Sequence, residues 1–490
     1  MTTFNSKAWA PAIAALLALG GVAAQAATFE ITSRDAPGVG FNDPTPVAPV
    51  GGNAGTTLGE QRMIVYRHVA NLWGQALQSN VTITVNAAWE ALTCTQTGAV
   101  LGSAGAWNIW RDFPGGVAGT WYPQALANKL AQVNLSAGVP DDGSGYGTVD
   151  IKTQFNVNLG KPGCLQGSPF YLGLDGNAGT QINFVETLLH ELGHGLGFSV
   201  LSVQTSTGRR INADGSAYVT NGGLPSIWEG FMYDNVAGKT WLVMSSAERM
   251  ASAVNARQLV WVGANVTTAA PSVLSYGTPR MQVMWPASIA GDYLAGAATF
   301  GPALGSPGLN RQVMPVVEAG NLGLACAPFD EANRTAVKNR IALVLRGTCG
   351  FTVKVLNAQN AGAVGVIVVD NTAVTPPDSL GGLDPAITIP AIRVTFADGV
   401  TLIGAMNLTK RSSDVVVRLG VDNSQLAGAD KLGRVMLYTP NPLVGGSSVS
   451  HWDTSARRNL LMEPAINADL TPFVDAPYDL TLPLLKDMGW

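Results

Sequence analysis

The pentapeptide His190-Glu191-Leu192-Gly193-His194 constrains this 490-residue chain more than any other feature. Residues four apart on a helix stand on one face, about 6 Å apart along the axis, so two imidazoles at that spacing can converge on one ion. The flanks read as a helix. Asn183-Phe-Val-Glu186 is a cap and first turn, and Val185, Leu188, Leu189, Leu192 and Leu196 form an apolar stripe at helical spacing. Stepping about 100° per residue sets His190, Glu191 and His194 on the side opposite that stripe. Gly193, Gly195 and Gly197 then weaken and end the helix. The chain holds only four histidines, and two of them fall here. Reading both as solvated surface groups is the plainer alternative, and it leaves the opposing leucine stripe unexplained.

Zinc takes imidazole nitrogen at about 2.0–2.1 Å, and catalytic zinc sites use three protein ligands with a fourth position for water. Glu191, beside the first ligand, then takes the proton of the bound water as it attacks a carbonyl carbon, while zinc polarises the carbonyl oxygen. One catalytic zinc ion is expected, and a third ligand has to be found. His451, 257 positions beyond His194 (451 − 194), fits the ligand count. His68 borders the apolar face of an earlier helix, where a satisfied structural histidine is the commoner explanation. Glu229 and Asp453 are carboxylates able to ligate. Trp228-Glu229-Gly230 lacks a helical pattern, however, and Asp453 is better cast as a partner to a ligand. The sequence does not reveal whether calcium is also bound.

The segment His190-Glu-Leu-Gly-His-Gly-Leu-Gly197 resembles the extended motif of the metzincin peptidases, His-Glu-x-x-His-x-x-Gly-x-x-His. It departs from that motif at Val200, which stands where the last His belongs and cannot bind metal. Ser450-His451-Trp452-Asp453 followed by Met462 looks like the missing half of the site. In metzincins a methionine turn after the third His lies beneath the metal without ligating it, and the resemblance gives that role to Met462. From residue type alone, Met462 in a Leu-rich segment reads as core filling. The arrangement is most similar to leishmanolysin-type metzincins, whose third His is displaced downstream by an insertion. No Tyr follows Met462 closely enough to serve as an extra ligand, and no cysteine between Ala27 and Cys94 is present to block a zinc.

The residues between the two halves form a module of their own. From 275 to 421, short β-branched runs such as Ile341–Leu345, Gly365–Val369 and Val415–Leu419 alternate with Gly, Pro and Asp, with a helix expected over Val353–Ala361. Cys326-Ala-Pro-Phe, Ile341-Ala-Leu-Val-Leu-Arg-Gly-Thr-Cys349-Gly-Phe and Lys354-Val-Leu-Asn-Ala-Gln-Asn-Ala-Gly-Ala-Val-Gly-Val366 resemble a protease-associated (PA) domain. Such domains are non-catalytic and accompany secreted peptidases, so the resemblance implies no catalytic residue here. An insertion of this size accounts for the distance between His194 and His451.

Export is expected as well. Lys7, the apolar run Ala8–Val22 and Ala24-Gln25-Ala26 read as a signal peptide cut after Ala26, with a membrane anchor as the alternative. In an oxidising compartment the four cysteines Cys94, Cys164, Cys326 and Cys349 favour two disulfides. Three pairings are open, and proximity favours Cys94–Cys164 with Cys326–Cys349. With 13% charged residues, a net charge of −4 and no long basic block, the chain offers nucleic acid nothing to grip.

The expected architecture is α+β. A zincin-like (metzincin) catalytic domain occupies 27–274 and 422–490, and a β-rich α/β PA domain is inserted over 275–421. The expected function is that of a secreted zinc endopeptidase acting on protein or peptide substrates, with no membrane association once the leader is removed. The alternative is a secreted binding protein with a silenced zinc site that recognises partners through its PA domain. Oligomeric state is not legible.

Overall fold

The computed structural model describes residues 25–96, 98–139, 148–382, 384–467 and 469–490. The expected leader falls on residues 1–24, outside the described residues, apart from Gln25 and Ala26. The fold is mixed α and β, and two sheets organise it.

The first sheet and its helices frame the His-Glu-x-x-His segment. Strand β1 (Phe29–Ser33) precedes helix α1 (Leu58–Ala76), which opens on a full capping box. There Glu60 N–H donates to Thr57 Oγ1, and the Glu60 carboxylate accepts from Thr57 N–H. Strands β2 (Ile83–Glu90), β3 (Gly102–Ala106) and β4 (Ile151–Asn156) complete a sheet in the order β1-β2-β4-β3. The first three in that order run parallel, and β3 runs antiparallel at the edge, with Ala104 opposite Thr153.

Helix α2 (Phe184–Leu196) lies against this sheet. Asn183 caps it, its Oδ1 accepting from Val185 N–H at 3.0 Å. Val185, Leu188, Leu189, Leu192 and Leu196 join one core with Val65, Val69 and Trp73 of α1. The approach to β4 is close enough that a Cβ on Gly195 would stand 2.3 Å from Ile151 Cγ2, so the position demands glycine. The helix ends at Gly197 with φ +123°.

An eight-stranded sheet forms the second unit. Its strands are β5 (Tyr276–Trp285), β6 (Gly291–Leu294), β7 (Gly296–Ala297), β8 (Leu309–Pro315), β9 (Ile341–Leu345), β10 (Gly365–Val369), β11 (Ala391–Val394) and β12 (Val416–Leu426). They run in the order β6-β5-β12-β8-β9-β10-β11-β7. Neighbours from β8 to β11 are parallel, and helix α3 (Phe351–Asn360) connects β9 to β10. Strand alternation sends Ala342, Val344, Val366 and Val368 to one core and Ile341, Leu343, Ile367 and Val369 to another. Burial on both faces is why these strands read as continuous β-branched runs. Disulfides join Cys94 to Cys164 and Cys326 to Cys349. A short helix, Ser246–Ser252, leads into the strand Leu259–Trp261.

The chain returns from the second sheet to the first unit at residues 427–490. Residues 436–439 and 449–453 pair as two short extended segments, and helix α4 (Thr481–Met488) closes the core. Among the described residues, no helix is long and apolar enough to cross a membrane.

Candidate metal centre

Helix α2 is buried on every side. The stripe faces the leucine core, and residues 447–462 and strand β3 cover the opposite face. His190, Glu191, His194 and His451 keep only 6%, 7%, 9% and 5% of their surface.

The structure brings His190, His194 and His451 together. Nε2 of His194 lies 3.1 Å from Nε2 of His190 and 3.1 Å from Nε2 of His451. Each ring's other nitrogen faces a carbonyl: Nδ1 of His190 meets Leu461 O at 2.7 Å, that of His194 meets Phe198 O at 2.7 Å, and that of His451 meets Ser447 O at 2.8 Å. A carbonyl can only accept, so each Nδ1 carries the proton and each neutral ring turns a bare Nε2 inward. Three acceptors then face one another with no proton between them, an arrangement that repels unless a cation fills it. Two tetrahedral zinc–imidazole bonds hold their nitrogens about 3.3 Å apart, close to the spacing here. The donor set therefore fits zinc. Among the described residues it is the one group of three or more His, Cys, Asp or Glu side chains close enough to hold a metal.

Burial decides the charge states. It pushes His190 down to about 4 and His194 to about 3, the latter helped by neighbouring His190, and it holds His451 well below the ordinary imidazole range. The rings are neutral and ready to ligate across the physiological range. Burial also raises the Glu191 carboxyl to about 8, opposed by a hydrogen bond from Ala104 N–H on strand β3. Glu191 thus sits beside the imidazole cluster at the sheet edge.

Two backbone relationships explain how residues so distant in sequence meet. Val200, where the extended motif calls for its last His, donates its N–H to Ser450 Oγ at 3.1 Å. The downstream segment thus returns His451 to the neighbourhood that the motif's last position occupies. Leu461 and Met462 tie both halves together. Leu461 O accepts a hydrogen bond from His190 Nδ1–H, and Met462 O accepts from Trp452 N–H at 2.8 Å. Met462 itself is fully buried, and its Sδ touches the helix at Gly193.

The remaining candidates lie elsewhere. His68 is half-buried on α1 and outside the cluster. Glu229 sits in a 3-10 turn, Ile227–Phe231, where the pattern shows no helix. Its carboxylate is fully engaged by Ser202 Oγ at 2.6 Å, Ser226 N–H at 3.0 Å and Arg210 Nε at 2.8 Å. Asp453 does not support His451. Its Oδ1 accepts from Ser455 N–H and pairs with Arg257 at 3.4 Å, while Ser447 holds the His451 ring. Two contributors escape a sequence reading. Ala104 lies on a Gly-Ser-Ala-Gly-Ala strand with no β-branched residue, and Asp479 accepts Leu461 N–H at 2.7 Å, fixing the residue that orients His190.

Comparison with known proteins identifies one part of the chain. Residues 313–402 match the PA domain model. The minor extracellular protease Vpr of Bacillus subtilis (strain 168) is 30% identical over 130 residues, which is 26% of this chain and 15% of that protein. Vacuolar-sorting receptor 2 of Arabidopsis thaliana is 34% identical over 134 residues, 24% of this chain and 21% of that one. The chain thus spans between 15% and 21% of the length of the curated relatives it matches. Among solved structures, BSAP, a zinc aminopeptidase from Bacillus subtilis, shares 22% identity over 32% of this chain and 36% of its own, with a TM-score of 0.23. An aminopeptidase from Aneurinibacillus sp. strain AM-1 gives 24% identity, 30% and 31% coverage, and a TM-score of 0.23. Likeness at that level carries no weight for the metal centre. The chain carries a PA domain, and its partial relatives include both a protease and sorting receptors.

Proposed function

We propose that the chain is an exported zinc endopeptidase of the metzincin kind, its catalytic residues drawn from 27–274 and 422–490 around an inserted module at 275–421. His190, His194 and His451 hold the metal, Glu191 is the general base and later the proton donor, and Met462 forms the floor of the site. One observation carries the reading: three neutral imidazoles turn bare Nε2 atoms toward one another, that of His194 lying 3.1 Å from each of the other two, with a buried carboxyl on the same helix.

When bound, zinc would supply Lewis acidity toward a scissile carbonyl and a water, and its charge would favour Glu191 as the carboxylate. The Glu191 carboxylate takes the proton of the attacking water and passes it to the departing amide nitrogen. Ala104 N–H orients that carboxylate from the edge strand β3. Among the described residues no further strand pairs with the outer edge of β3, so beside the Ala104 N–H that Glu191 takes an extended peptide can add there and run past Glu191. The small side chains of Gly102-Ser-Ala-Gly-Ala106 leave room for it. An edge of this kind suits cleavage within a chain.

The sorting receptors among the relatives favour a second reading, a binding protein that uses its PA domain for recognition. Casein cleavage separates the two. The endopeptidase reading expects activity that a chelator abolishes and that Glu191→Gln lowers by at least about 10²–10⁴-fold, the usual worth of a general base. An inactive wild type with a full complement of zinc favours the binding protein.

A further inference from the structure

The inserted module touches the ligand-bearing segment far from the points where the chain enters and leaves it. Thr375 and Asn441, 66 positions apart (441 − 375), exchange backbone hydrogen bonds at 2.8 and 2.6 Å as an isolated antiparallel bridge. Three residues before Asn441 lies Tyr438. Its hydroxyl reaches Asp378 Oδ1 of the same insert loop at 3.5 Å. Asp378 is held from the other side by Arg393 at 3.4 Å, and Arg393 is anchored by Nε to Asp370 Oδ2 at 2.7 Å. Asp370 also takes Arg346 Nη1 at 2.9 Å, so two arginines and two aspartates of the module fix this loop.

Tyr438 faces the metal centre through its backbone. Its N–H donates to His451 O at 2.8 Å, and its carbonyl accepts from Val449 N–H at 2.8 Å. Asp453 N–H donates to Met436 O at 3.0 Å, so residues 436–438 grip 449–453 on both sides of the third histidine. One edge of this pair carries His451, and residues 438–441 at its far side carry the insert loop. A histidine delivered from 257 positions away has no helix of its own to orient it (451 − 194). The strand beside it is held at two places: residues 435–437 pair with Leu259–Trp261 of the first unit, and residues 438–441, next to the His451 contact, are held by the inserted module.

We propose that the insert loop 371–380, through Thr375–Asn441 and Asp378–Tyr438, braces the segment carrying His451, making Asp378 and Tyr438 positioning residues for the third metal ligand. The proposal rests on the zinc reading above. It gives the PA module a task inside the catalytic unit: its docking sets how tightly the metal is held. Outer-sphere groups that orient ligands are worth about 10–100-fold in metal affinity, and a brace acting through one intervening strand belongs at the lower end.

The test uses the full chain as wild type, Asp378→Asn, Tyr438→Phe and His451→Ala. Zinc affinity is measured by chelator competition, the d–d spectrum is recorded after cobalt substitution, and thermal unfolding is followed without metal. Asp378→Asn keeps the shape of a partly exposed loop side chain, and metal-free melting reports whether that variant folds as wild type. The expected result is zinc affinity about tenfold weaker in Asp378→Asn and Tyr438→Phe, with a shifted cobalt spectrum and metal-free melting close to wild type. Wild-type affinity and spectrum in both variants would overturn the brace alone, whatever happens to the melting temperature. Unaltered zinc binding by His451→Ala would overturn the zinc reading and the brace with it.

Discussion

Gly193 and Met462 touch so closely that a Cβ on Gly193 would stand 2.8 Å from the Met462 Sδ. The thioether is fully buried, so any shift it makes has to be taken up by the core around it. Replacing a mid-helix glycine by alanine ordinarily gains about 1 kcal/mol of helix stability, while overpacking a core costs about 1–3 kcal/mol. The clash wins, so Gly193→Ala is expected to destabilise the chain by up to about 2 kcal/mol in denaturant unfolding and to weaken zinc binding. Met462→Leu, of similar volume, should cost less than about 1.5 kcal/mol. A stabilised Gly193→Ala chain would mean the floor of the site is looser than described.

Asp479 acts on the centre at one remove. One of its carboxylate oxygens accepts Leu461 N–H at 2.7 Å and the other accepts Thr481 N–H at 2.7 Å, and Leu461 O holds the His190 ring. Asp479→Ala leaves two N–H groups without their partner, each costing about 1–3 kcal/mol, and frees the carbonyl that fixes His190. Chelator competition should show zinc affinity reduced about 10–100-fold. Loss of stability with unchanged affinity would assign Asp479 to the start of α4 alone.

The acid limits of the site follow from burial. Folded His190 and His194 titrate at about 4 and about 3, and His451 also lies well below normal, whereas unfolded imidazoles titrate near 6.5. The unfolded chain therefore binds more protons in this window. The stability these rings contribute is complete above about pH 6.5 and drains as pH falls toward about 4. Zinc affinity should be less sensitive, because the folded rings stay neutral. In the Glu191→Gln background, which removes the titration of that carboxyl, affinity should fall less than about tenfold between pH 7 and pH 5. Three ordinary imidazoles would each lose about thirtyfold. A thousandfold fall would show that burial does not hold these rings neutral.

Glu191 carries the opposite shift. Burial raises its carboxyl to about 8 without metal, so infrared bands of the metal-free chain should show a carboxyl ionising near pH 8 that is absent from Glu191→Gln. Adding zinc should move that ionisation downward. A carboxyl already ionised at pH 6 without metal would indicate a wetter site.

The parts of this molecule that announce themselves in sequence are those built from neighbours. Thr57 and Glu60 cap α1, and Asn183 caps α2, through bonds spanning two or three residues. The β-branched runs of the insert are legible because burial on both faces demands them. His451 is visible only by counting ligands, since nothing local marks it. Strand β3 is hidden because Gly-Ser-Ala-Gly-Ala106 lacks strand-forming side chains, its conformation coming from pairing with β4. The carbonyls of Leu461, Phe198 and Ser447 leave no trace in residue identity, because any residue presents the same acceptor. Asp453 looks like the partner of His451 by adjacency, but the Arg257 guanidinium pairs with its carboxylate and the Ser447 carbonyl holds the His451 ring instead.

Zinc K-edge absorption on the purified chain, together with metal content of wild type and His451→Ala, bears most directly on the metal centre. The expected result is one zinc per wild-type chain, with three imidazole nitrogens at about 2.0–2.1 Å, and loss of tight binding in His451→Ala. Full zinc retention by His451→Ala, or a wild-type spectrum with two imidazoles or fewer, would contradict it.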